Sequence, residues 1–113
     1  MIDNLAKTNA LMERLENSLP IEARLSQHLI HALAKESPNI SIPTTCDIKK
    51  ISYAGDEGGV LCHLDFGDPE SKNVHIVSIT HLRFDLHIPL AREIEAYQRH
   101  RIKKIKQQDR RGF

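Results

Sequence analysis

The chain is poor in the residues that mark specialised classes of protein. Five glycines and five prolines among 113 residues are too few for a collagenous or linker-like chain. No apolar run approaches the roughly 18 residues of a membrane span. Met1 to Asn9 lacks the unbroken apolar stretch of a signal peptide. The two cysteines, Cys46 and Cys62, make no C-x-x-C pair and no framework of bridges, and no further zinc ligands cluster near them in sequence. These absences predict a soluble, cytoplasmic protein with buried thiols, held together by its core alone. Aromatic rings are equally scarce, being confined to Tyr53, Phe66, Phe84, Tyr97 and Phe113. Most of these have core-facing phases, so the stacking platform of a single-strand binder is not expected. The P-loop, the dinucleotide fingerprint and the G-x-S-x-G elbow are also missing, so no cofactor and no metal are expected.

What the chain does have is 40% hydrophobic and 27% charged residues, the make-up of one compact domain spanning 1–113. Its 16 Lys and Arg against 15 Asp and Glu are unevenly placed. Residues 1–88 carry 8 cations against 12 acids, while residues 89–113 carry 8 against 3. Fields screened over about 8 Å respond to this local placement rather than to the total.

Leu5, Met12, Leu15 and Leu19 recur at helical intervals behind Asp3, a residue suited to capping, and predict a helix over 4–17. After Pro20 a second stripe through Ile21, Leu25, Leu29 and Leu33 predicts another helix, giving a helical pair over 3–36. Beyond a loop containing Pro38 and Pro43 the period changes to two, and a sheet is expected over 45–84. Its first strand, Cys46 to Tyr53, needs a bulge near Lys49 and Lys50, because Ile48 and Ile51 are an odd interval apart. The second runs from Gly59 to Phe66, and the third from Val74 to about Leu82 before a bend. Pro89 then opens a helix over 89–108, followed by a tail at 109–113. The expected fold class is α+β: two N-terminal helices, a three-stranded antiparallel meander, and a basic amphipathic C-terminal helix packed on the sheet.

Two features bear on function. On the last helix Arg92, Arg99, Lys103, Lys106 and Arg110 share an arc of about 60°, with Leu90, Ile94, Tyr97, Ile102 and Ile105 gathered opposite. This is the pattern of a surface that tracks phosphates, and equally that of a solvated helix whose cations meet acids in its own domain or in a second copy. Seven histidines are the other feature. If the second hairpin pairs Asp65 with His75, then His63, Asp65 and His75 share one sheet face, a set suited to metal ligation or proton transfer. His81, Arg83, Asp85 and His87 align on one side of the segment entering the last helix, a further polar candidate. The leading expectation is a non-catalytic binding module that contacts nucleic acid or another polyanion through its last helix. The alternatives are a homo-oligomer or assembly subunit using Leu5, Leu11, Met12 and Leu15, and a small enzyme using the His/Asp trio.

Overall fold

A computed structural model describes residues 2–67 and 75–111 of the chain, with side chains through 108. Among the described residues it is a mixed α+β fold in which three helices accompany a five-stranded antiparallel sheet. Helix α1 spans Leu5–Ser18 and buries Thr8, Leu11 and Leu15; of the expected stripe Met12 and Leu19 are partly buried and Leu5 is exposed. Its cap is Asn4, whose side chain accepts from the Lys7 backbone N–H at 3.1 Å, and not Asp3. Asp3 is buried and used elsewhere.

The predicted second helix is corrected at its start. Residues Ile21–Leu25 form strand β1, burying Ile21, Ala23 and Leu25 and exposing Glu22 and Arg24. Residues four apart share a face in a strand as well as on a helix, so the Ile21–Leu25 interval suits both. The local chemistry decides between them. Ser26 takes an extended conformation and its hydroxyl accepts from the Leu29 N–H at 3.1 Å, so helix α2 begins only at Gln27 and runs to Glu36. The helical pair over 3–36 is therefore a helix, a strand and a helix.

Strand β2 spans Thr45–Tyr53 and β3 spans Val60–Asp65, paired antiparallel with the expected bulge between Ile48 and Lys50. The third expected strand is cut short. Strand β4 is His75–Ser78, a 3-10 turn takes Ile79–His81, and Leu82–Arg83 form β5, which pairs with β1 rather than extending β4. The Ser78 hydroxyl caps this turn and bonds the Gly58 carbonyl at 2.8 Å, which stops the strand there.

The sheet order is β4-β3-β2-β1-β5, so consecutive strands β4 and β5 stand at opposite edges. A flat five-stranded sheet would separate those edges by about 19 Å at strand spacing. The four residue steps from Ser78 to Leu82 span at most about 14 Å. The sheet must therefore curl, and Ile79 in the linking turn is fully buried. Cys46, Ile48, Val60, Cys62, Leu64 and Leu82 line the packed face together with Leu15, Leu29, Leu33 and Ile94 from the helices. Helix α3 runs over Ala91–Arg111, so the expected tail at 109–113 is helical through residue 111.

Candidate functional site

Helix α3 is anchored along its first three turns. Leu90, Ala91, Ile94 and Tyr97 are buried, and the Gln98 side-chain amide donates to the carbonyls of Ile79 and Leu82, both at 2.8 Å. The last docked residue is Arg101, which falls on the same face. A charged residue on an apolar face demands a buried partner. Arg101 finds it in Asp3, with its guanidinium 3.2 Å from both carboxylate oxygens, and it also donates to the Asp56 carbonyl at 2.7 Å. The hydroxyls of Tyr53 and Tyr97 donate to the same Asp3 carboxylate at 2.8 Å. The Tyr97 oxygen in turn accepts the Val60 N–H at 3.0 Å.

This cluster fixes the N-terminal segment, the sheet and α3 to one another. Desolvation and the hydrogen bond to Asp3 push the Tyr53 hydroxyl up to about 12. The same two causes, in the same order, push Tyr97 upward. Gly59 is required beside it: at φ +67 a Cβ would stand 2.3 Å from the Tyr97 hydroxyl and 2.9 Å from Arg101 Nε. With Asp3, Tyr97 and Arg101 buried and every one of them partnered, the cluster is a lock rather than a binding site. Its one trace in the sequence is Arg101 on the face of Leu90, Ile94 and Tyr97.

Beyond Arg101 every described side chain from Ile102 to Gln108 is exposed. Arg92, Arg99, Lys103 and Lys106 are all displayed to solvent, as their common arc predicted. Arg99 forms an ion pair with Glu95 one turn back. The side chain of Arg110 lies outside the described residues. Ile102 and Ile105, expected to dock, remain 41% and 37% exposed, Ile102 at a groove it shares with Arg83, Phe84 and Leu86. Among the described residues the exposed end of α3 is therefore cationic with an apolar flank.

The histidine trio is separated by one step of register. Leu64, not Asp65, pairs with His75, and His63 pairs with Ile76. A one-residue slip sends side chains to opposite faces. His63 stays on the outer face, 3.0 Å from the Ser52 hydroxyl, while His75 turns inward, buried and stacked on Phe66 at 4.6 Å.

Of the second polar candidate, His81, Arg83, Asp85 and His87 are all exposed. Only Asp85 and His87 meet, the carboxylate accepting from the His87 backbone N–H at 2.9 Å and lying 2.8 Å from Nδ1. A groove of about 550 Å³ between α1 and α3 has Leu11, Ala96 and Tyr97 in its wall, but its Arg14 is engaged by Glu93. Cys46 and Cys62 are buried thiols, pushed up to about 11 and about 12 chiefly by desolvation, which suits core packing and not nucleophilic chemistry. Compared with protein-family models, with curated proteins and with solved structures, the chain shows no significant match to any.

Proposed function

We propose that this chain is a small non-catalytic binding module that engages nucleic acid, or a polyanion like it, through the basic face of α3. The observation that carries the reading is the exposed end of that helix. Arg99, Lys103 and Lys106 rise along one face, and every described side chain from Ile102 onward is exposed. A cationic helix placed this way has room to lie along a phosphate backbone, each contact releasing counterions. The partly buried positions of Tyr53, Phe66 and Phe84 and the burial of Tyr97 favour backbone contacts over base stacking. Fluorescence anisotropy against duplex and single-stranded RNA and DNA at low salt tests the reading. Binding that an Arg99→Ala, Lys103→Ala, Lys106→Ala variant loses supports it, and no binding, or binding unaltered in that variant, rejects it.

Self-association is a second reading, favoured by the exposure of Leu86 at 77% beside the flank of Ile102 and Ile105. Such apolar side chains, met by a second copy, would leave solvent. It cannot use Leu11 and Leu15 as expected, because both are buried in the chain's own core. Sedimentation velocity separates the two readings: a monomer at micromolar concentration removes self-association and leaves the first reading intact.

A further inference from the structure

The outer face of the sheet carries two charged rows. Glu22, Asp47 and Asp65 stand abreast on β1, β2 and β3. Two residues along β1, Arg24 stands between Thr45 on β2 and Arg83 on β5. In both rows like charges stand directly opposite on paired strands and repel, and the arginine pair is the cationic one. Among the described residues neither Arg24 nor Arg83 has an ion-pair partner, and both are exposed. Together with Thr45, Asp85 and His87 they line a groove of about 650 Å³. Asp85 is already committed there. The hydrogen bonds from the His87 backbone and ring hold its carboxyl below the usual carboxylate range, with Arg24 adding to the effect. Glu22, the other acid of the groove, belongs to the acidic row.

Arg83 also borders a second groove, of about 360 Å³, shared with Arg99 and Ile102 of α3. Arg83 is thus the common wall between the arginine pair and the basic helix. Cations lead from Arg24 through Arg83 round the β5 edge to Arg99, whose partner Glu95 lines the same groove, then along α3 through Lys103 and Lys106. Guanidinium groups take phosphate oxygens in a two-pronged fashion, and an anion between two of them removes their repulsion. The acidic row closes the path on the other side, since any phosphate passing beyond Arg24 across β2 and β3 would meet Asp47 and Asp65.

We propose that Arg24 and Arg83 form a phosphate subsite that continues the basic face of α3 around the β5 edge, so that a nucleic-acid backbone follows both. The nucleic-acid ligand rests on the function proposed above, whereas the phosphate subsite stands on its own geometry. Repeating phosphates are the ligand class, because the cations lie on three separate elements and a single small anion would span only one pair.

The test compares the variants Arg24→Gln, Arg83→Gln and their double with a charge-matched control, Lys35→Gln with Lys49→Gln. The probe is a fluorescein-labelled duplex of about 20 base pairs, titrated across a range of salt. Each arginine substitution is expected to weaken binding and to flatten the log–log salt slope by about 1, with the control slope unchanged. Arginine variants indistinguishable from the control, alongside loss of binding in the Arg99, Lys103, Lys106 variant, would overturn the subsite and leave the proposed function standing. If the wild type binds no nucleic acid, inorganic pyrophosphate decides: shifts of the Arg24 and Arg83 Nε–Hε resonances, abolished in Arg24→Gln, keep the phosphate subsite and overturn its nucleic-acid ligand, and no shift overturns both. Thermal melts guard against misfolding. The arginine variants are expected to melt at or above the wild-type temperature, since repulsion is relieved, and a lowered melt would show that the pair is held by partners within the fold and count against the proposal.

Discussion

Asp3 receives two tyrosine hydroxyls and a guanidinium inside the fold, so removing its charge leaves the buried Arg101 with the Asp56 carbonyl but no counter-ion. Breaking one side of a buried ion pair in this way costs about 3–5 kcal/mol. Asp3→Asn is expected to lose that much in urea denaturation, and Tyr53→Phe only about 1 kcal/mol, because it removes a single donor. A loss in Asp3→Asn no greater than in Tyr53→Phe would mean that the cluster is not the lock described. Gly59→Ala should fail similarly, since its Cβ meets the Tyr97 hydroxyl at a left-handed backbone position. Alkaline pH reaches other residues. Burial raises Cys46 from 9.0 to about 11 and Cys62 from 9.0 to about 12, and Tyr53 rises from 10.0 to about 12. The folded chain holds these protons more tightly than the unfolded one. The resulting stability is complete below pH 9.0 and falls as pH climbs toward 12. Urea midpoints measured through that window should decline steadily, and a flat profile would contradict the burial of these groups.

Among the elements, α3 divides at Arg101 into a docked part and a displayed part. Ile94→Ala should cost about 2–4 kcal/mol by leaving a cavity in the core. Ile102→Ser and Ile105→Ser, at exposed positions of the same helix, should each cost less than about 1 kcal/mol. Hydrogen exchange gives an independent check: amides over 102–108 should exchange faster than those over 94–101 by about two orders of magnitude. The same division explains what could be read from this helix. Its angular pattern placed the cations correctly, because that depends only on 3.6 residues per turn. The fate of Ile102 and Ile105 depends on what the rest of the fold sets beside them, which no local pattern records. In β1, Ile21 and Leu25 suit either period, and Ser26 as a cap was the residue that distinguished them. Between β3 and β4 no local pattern recorded the register, and one step of it separates His75 from His63 and Asp65.

At the scale of the whole molecule the charge split acquires a shape. One of the eight cations of residues 89–113, Arg101, is neutralised inside the fold by Asp3, and Arg99 leans on Glu95. The displayed field is narrower than the composition suggests and concentrates on Lys103 and Lys106. Four described cations on the α3 face predict a log–log salt slope for duplex DNA of about −3 to −4 from that helix alone. A measured slope near zero would mean that the displayed charge is not the binding surface. Curling of the sheet brings β5 beside α3, which is what lets charges from residue 24, residue 83 and the last helix lie along one path.

By itself the sequence determined the composition-level class, the positions of α1 and α3, the bulge in β2 and the cationic arc, because each follows from local period, capping or backbone sterics. Tertiary structure alone decided that β5 closes against β1, that His75 faces inward, that Asp3 meets Arg101 across 98 residues, and that Arg24 faces Arg83. Those outcomes depend on pairings between distant segments, selected by the burial of the whole apolar face at once, and no window along the chain contains both partners.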